Sequence, residues 1–154
     1  MDMGVLTFRE ATEEDLETVV YMLSDDSLGS TRERYAHLLP DSYLKAFHAI
    51  KSDPNIELIV ACDGDRIVGV QQVTFTPHMT YQGGWRATIE GVRTTSSERG
   101  KGVGRQLIGW AIQRAKERGC HVVQLTTDKR RIDALRFYER MGFKASHEGL
   151  KLHL

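Results

Sequence analysis

Apolar residues recur at helical spacing in some stretches of this chain and at strand spacing in others. Leu16, Val19, Val20 and Leu23 form a helical stripe, opened by Thr12 as an N-cap and by Glu13, Glu14 and Asp15 in the first turn. Val5 to Arg9 ahead of it reads as a strand, and Ser24 to Ser30 as a loop. Thr31 to Ile50 is a second helical region interrupted at Pro40, with Tyr35, Leu38, Leu39, Tyr43, Leu44 and Phe47 as its apolar face. Glu57 to Cys62 and Arg66 to Thr76 flank Asp63-Gly64-Asp65, a hairpin signal. Pro77 to Gly84 is a loop, and Arg86 to Arg93 a strand. Val103, Leu107, Ile108, Ala111, Ile112 and Ala115 make the longest helical stripe, stopped at Arg118-Gly119. His121 to Thr127 is a strand, and Arg131 to Met141 a short helix carrying Ala134, Leu135, Phe137 and Tyr138. Gly142 caps that helix, and Phe143 begins a final β region running to Leu154.

The junction between the Arg86–Arg93 strand and the long helix carries the chemistry. It runs Arg99-Gly100-Lys101-Gly102-Val103-Gly104-Arg105. The first N–H groups of a helix have no internal partner and lie at the positive end of its dipole. Glycines let an anion approach the main chain, and Arg99, Lys101 and Arg105 add charge, so the stretch reads as a phosphate or pyrophosphate cradle. No Gly-Lys-Ser/Thr occurs, which excludes the P-loop. The dinucleotide fingerprint wants a small last residue, where this chain has Leu107 or Arg105.

Composition narrows the classes. Lys plus Arg equals Asp plus Glu at 21 each, which argues against a nucleic-acid binder driven by bulk charge. No apolar run is long enough to span a bilayer, and the expected setting is cytoplasmic. Cys62 and Cys120 sit in or beside apolar strand-like runs and read as reduced thiols; no Cys/His spacing suggests a metal.

The glycine turn resembles the acetyl-CoA loop of the GNAT N-acetyltransferase superfamily, R/Q-x-x-G-x-G/A, with Arg99, Gly102 and Gly104 in its fixed positions. Residues 128–143 resemble the second signature of that superfamily, N-x-x-A-x-x-F/L-Y-x-x-x-G-F, through Ala134, Phe137, Tyr138, Gly142 and Phe143; Arg131 stands at the asparagine position. The closing stretch is similar to the aminoalkylphosphonate acetyltransferase branch, and the Ile89-Glu90-x-Val92 register to the glucosamine-phosphate branch. The resemblance implies a single α/β (α+β) domain over residues 4–154 with the GNAT fold. That fold has a mixed, mostly antiparallel sheet splayed at the strand before the glycine turn, with helices on both faces.

The activity implied is acetyl transfer from acetyl-CoA to a primary amine of a small molecule, by direct attack in a ternary complex. The alternatives are a non-catalytic acyl-CoA-binding or regulatory module, and a protein lysine or N-terminal acetyltransferase. A homodimer is one assembly the resemblance allows; a nucleic acid, a membrane and a metal are not expected. By the resemblance, Tyr138 protonates the departing thiolate, for which an ordinary phenol is suited; a packing tyrosine is the plainer reading. Glu90 is either the base for the amine or a solvent-facing strand residue. Val92 and Thr94 offer main-chain groups to the pantetheine arm. The remaining implied cofactor contacts are Arg99, Gly100, Lys101, Gly102, Val103, Gly104, Arg105, Thr127, Arg131 and Phe137, with Tyr138 among them. For the acceptor, Asp25, Asp26, Arg32, Tyr35, Tyr43, Tyr81, Trp85, Arg86 and His147 are candidates.

Overall fold

Five strands, ordered β1-β2-β3-β4-β5, make one sheet in the computed structural model, which describes residues 4–154. β1 (Thr7–Glu10), β2 (Ile56–Asp63), β3 (Arg66–Pro77) and β4 (Trp85–Thr94) pair antiparallel; β5 (Cys120–Leu125) pairs parallel to β4. The β2–β3 hairpin closes where expected, with Asp63 opposite Arg66 across Gly64-Asp65.

Helices cover both faces. α1 (Leu16–Ser24) follows a 3-10 turn at Glu13–Asp15. Asp15 accepts from the Thr12 N–H at 2.7 Å and from Arg9 Nη1 at 2.6 Å, which fixes the entry of α1. Val19 and Met22 of α1 pack on Val60, Cys62 and Val70. α2 (Gly29–Arg32) is one turn, and α3 (Asp41–Ser52) covers β2 on the α1 face through Phe47. α4 (Thr80–Gly83) is one irregular turn, with Tyr81 and Gln82 in the left-handed region. α5 (Val103–Glu117) lies on the opposite face, with Val103, Leu107, Ile108, Ala111 and Ala115 at most 1% exposed. Burying a Leu or Ile side chain so completely stabilises by about 2 kcal/mol, so this stripe anchors α5 and the turn before it. α6 (Ile132–Arg140) adds Phe137 and Tyr138 to the cluster of Val73, Phe75, Ile89 and Ile108.

Two expectations are corrected. Thr31–Ile50 is not one helical region: Glu33 to Pro40 is irregular, Leu38 is 85% exposed at φ 61°, and only Phe47 of the expected apolar face is buried. Pro40 disfavours helical backbone just before it, which leaves this segment without a helix to align its apolar groups. The final β region from Phe143 to Leu154 forms no strand; Phe143 packs on Tyr138, and residues 144–154 are irregular and exposed.

Candidate active site

β4 and β5 part company in mid-strand. Their pairing runs from Trp85 opposite Cys120 to Ile89 opposite Leu125 and stops there. Residues 90–94 continue beside β3 alone. The cause is local: two residues of β4, Gly91 and Val92, lie opposite one of β3, Gln71, with Gly91 at φ 63°. This bulge bends and twists the strand at the point of divergence. Val92 packs toward α5, whereas Glu90 and Arg93 face the α1 side.

The glycine turn sits at the far end of the same strand. Gly100 and Gly102 adopt φ 79° and 90°, and Gly102 is the N-cap of α5. No side chain caps this helix, and its internal bonding begins with Gln106 N–H to Gly102 C=O. The N–H groups of Val103, Gly104 and Arg105 therefore point out of the helix end together, which fits a pyrophosphate. A Cβ on Gly104 would lie 3.6 Å from the Phe137 ring and 4.0 Å from Thr94 Oγ1, so α5, α6 and the end of β4 meet around it.

The cations of the turn are placed unequally. Arg99 donates to the Asp25 carbonyl at 2.8 Å and so ties the α1–α2 loop to the turn. Lys101 pairs at 3.1 Å with buried Glu98, which Arg66 also holds at 2.6 Å. Arg105 has no ion-pair partner among the described residues.

Tyr138 is largely buried between Phe137, at 5.2 Å, and Phe143, at 5.9 Å, both edge-on. Burial raises its phenol above the ordinary value, and the nearby Arg93 and Arg131 charges oppose that rise. The side chain keeps its proton through the neutral range. Beside it is a cluster the sequence does not announce. Asp26 accepts from Arg131 Nη1 at 2.8 Å, lies 3.3 Å from Arg93 Nε, and accepts from the Gly29 N–H. Arg93 also donates to the Val92 carbonyl at 2.9 Å. Arg131, at the asparagine position, is thus tied to Asp26. Burial depresses the Arg93 guanidinium, with Arg131 adding to it, while Asp26 acts the other way. Arg93 Nε and Arg131 Nη2 are buried without a hydrogen-bond partner. The three residues come from a loop, a strand and a helix entry, and no local pattern links them.

Burial alone would raise the Asp26 carboxyl. The Arg131 hydrogen bond, the Gly29 N–H and the two arginine charges outweigh burial and hold it at about 2, from 3.8. A carboxyl depressed in the folded state stabilises above its unfolded value and loses that contribution as pH falls through the folded value. Asp26 accordingly contributes about 2 kcal/mol above pH 4, lost between about pH 4 and 2. Urea denaturation at stepped pH should show this slope, and Asp26→Asn should remove that share of it. An identical acid slope in the variant would show the pairing to be energetically idle.

The acceptor candidates separate in space. Trp85 and Arg86 begin β4, nine residues from Thr94, a separation of about 30 Å along an extended strand. Tyr81 stacks there on His121 and under Arg86. Tyr43 is occupied by Glu33 and the Arg34 N–H, and His147 lies in the exposed tail. Near the divergence remain Asp25, Asp26, Arg32 and Glu90. Glu90 opens onto a cavity of about 200 Å³ lined by Val19, Leu23, Leu58, Val70, Gln72 and Gly91. Thr127 lies just past the end of β5, at the mouth of the gap. Among the described residues no group of three or more His, Cys, Asp or Glu is placed to hold a metal, and no helix is long and apolar enough to cross a membrane.

A sheet split beside an uncapped, glycine-led helix end is the α/β arrangement that the resemblance to acyltransferases implies. The chain belongs to the acetyltransferase (GNAT) family, whose model matches residues 20–143. It is 31% identical over 145 residues to the aminoalkylphosphonate N-acetyltransferase of Salmonella typhimurium, covering 94% of this chain and 89% of that one. To the glucosamine 6-phosphate N-acetyltransferase of Trypanosoma brucei brucei it is 34% identical over 89 residues, 58% of each chain. A solved structure from Bacillus halodurans C-125, described as a transcriptional regulator, superposes with a TM-score of 0.95 at 69% identity, over 97% of this chain and 100% of that one.

Proposed function

We propose that residues 4–154 form one N-acetyltransferase domain that transfers acetyl from acetyl-CoA to the primary amine of a small molecule bearing a phosphonate or phosphate. The observation that carries the reading is the divergence of β4 from β5 next to the uncapped start of α5. Acetyl-CoA supplies the acyl group as a thioester, activated toward an amine. The N–H groups of Val103, Gly104 and Arg105 bind the pyrophosphate, with Arg105 as the nearest uncommitted charge. The open edge of Val92 and Thr94 takes the pantetheine arm as an added strand, and Thr127 and Phe137 border it. Tyr138 holds a proton at Oη for the departing thiolate. Glu90 accepts the amine proton, directly or through water.

The anionic part of the acceptor is supported by charge. Arg93 and Arg131 share the single carboxylate of Asp26, Arg32 lies near enough to depress Arg93, and two buried N–H groups are left free. Such donors suit a phosphonate or phosphate oxygen. The names of the Salmonella and Trypanosoma relatives point the same way.

The test is CoA release from acetyl-CoA against aminoalkylphosphonates, amino-sugar phosphates, polyamines and peptides. Amines carrying phosphorus should be turned over fastest. Preference for polyamines would overturn the acceptor class. The regulatory description of the Bacillus relative favours a second reading, an acyl-CoA-binding module without turnover, and binding without release for every amine would select it. In the same assay Glu90→Gln should slow turnover most at low pH, where the amine is protonated, and leave acetyl-CoA binding unchanged. Wild-type rates across pH would return Glu90 to a strand residue.

A further inference from the structure

The cavity onto which Glu90 opens is built mainly of hydrocarbon, which neither an amine proton nor an anion calls for. It lies between α1 and the sheet, about 200 Å³ in volume, walled by Val19, Leu23, Leu58 and Val70. Val19 and Val70 are at most 3% exposed, so its floor reaches the core under α1. Among the described residues lining it, only Gln72 and Glu90 carry polar side chains. An ordered water needs two or more polar partners, so such a space favours an apolar guest. An apolar cavity of about 150 Å³ suffices for benzene, so this one has room for a branched chain of about four carbons or for one ring.

The register places this space between two opposite charges. On β4, Glu90 stands opposite Gln72 and Arg93 opposite Val70. Gln72 and Val70 are two positions apart on one face of β3, a separation of about 7 Å. Glu90 suits an ammonium. Arg93, with Arg131 beside it on Asp26, suits an anion. A molecule held by both lies along β4 across the mouth of the cavity. Hydrocarbon that it carries between its two charges either stays in water or enters the cavity, and entry is favoured. A side chain at Gly91 would begin to close the mouth, since a Cβ there would meet Leu23 Cδ2 at 3.7 Å.

Resting on the acetyl-transfer reading above, we infer that this cavity takes the side chain of the acceptor, and that the preferred acceptor is an anionic amine bearing an apolar side chain. Glu90 and Arg93 hold its two charged ends, and Val19, Leu58 and Val70 receive the side chain. A lone acetyl methyl leaves most of the volume empty and forfeits its contacts, whereas a branched side chain on the acceptor fills it.

The test is a series of 1-aminoalkylphosphonates with methyl, ethyl, propyl and 2-methylpropyl side chains, assayed by CoA release. kcat/KM should rise roughly threefold to fourfold per added carbon. Leu58→Trp and Leu23→Trp, on two different elements, should each flatten that rise while the circular dichroism spectrum stays folded. A second readout needs no turnover. Titrating 3-methylbutylamine into protein with isotope-labelled methyl groups should shift the Val19, Leu58 and Val70 resonances saturably, and methylamine should not. Shifted methyls with no phosphorus-bearing amine turned over would remove the acceptor reading and leave the cavity its apolar guest. A flat series at measurable turnover overturns the inference, and so do unshifted methyls. A rise from acetyl- to butyryl-CoA that Leu58→Trp abolishes overturns it too, by giving the cavity to the acyl chain.

Discussion

Tyr138→Phe should lower acetyl transfer by roughly tenfold to a thousandfold, the range for losing one proton donor at a reacting centre. The substitution leaves the ring in its edge-on contacts with Phe137 and Phe143. It also strands no partner, because the phenol makes no hydrogen bond to the described residues. Stability should change by less than about 1 kcal/mol. A thiolate leaving in a partly dry cleft is costly unless protonated, and a hydroxyl that donates only as the bond breaks favours the transition state over the ground state. Acetyl-CoA affinity should therefore hold while turnover falls. Steady-state rates and calorimetry separate the outcomes. Lost affinity at unchanged turnover would make the hydroxyl a cofactor contact, and lost melting temperature alone would make Tyr138 a packing residue.

Gly102→Val should weaken acetyl-CoA binding by roughly a hundredfold, about 3 kcal/mol, comparable to one or two hydrogen bonds to a charged group. Gly102 holds φ 90°, which a β-branched residue resists at a cost of about 1–2 kcal/mol. Relaxing that strain swings the first N–H groups of α5 out of convergence, and the side chain itself crowds the anion. Gly104→Ala is the instructive contrast. Its φ is ordinary and its added methyl meets only van der Waals contacts, so the fold should be kept and any loss of affinity reports on the gap between α5 and α6. Calorimetric affinity unchanged in a folded Gly102→Val would remove the cradle from the site.

The legible parts of this molecule were those written within one element. The α5 stripe from Val103 to Ala115 predicts its buried face, the Asp63-Gly64-Asp65 signal predicts the hairpin, and the glycine turn predicts an uncapped helix end. Periodicity reports one element's own faces, so it is silent on meetings between elements. Asp26, Arg93 and Arg131 converge only because α1, β4 and α6 end in the same place. The Gly91 bulge was equally hidden, since a glycine in a strand pattern does not say which partner residue it must share. The closing strand expected from the alternation of Leu150, Leu152 and Leu154 does not form, because alternation names no edge to receive it.

The bulge in β4 has a consequence for how this strand tolerates changes of length. Deleting a residue of β4 outside the Gly91–Val92 pair reverses the facing of everything beyond it, sending hydrophobic groups to solvent and charges into the core. Within that two-against-one pair one residue is surplus, and Gly91 is the member whose loss spares a packed side chain. A chain shortened at Gly91 keeps Val92 toward α5 and Arg93 toward Asp26, yet straightens the strand beside β5. Interior and cleft are thereby separable by one codon: the shortened protein keeps its hydrophobic centre and loses the opening.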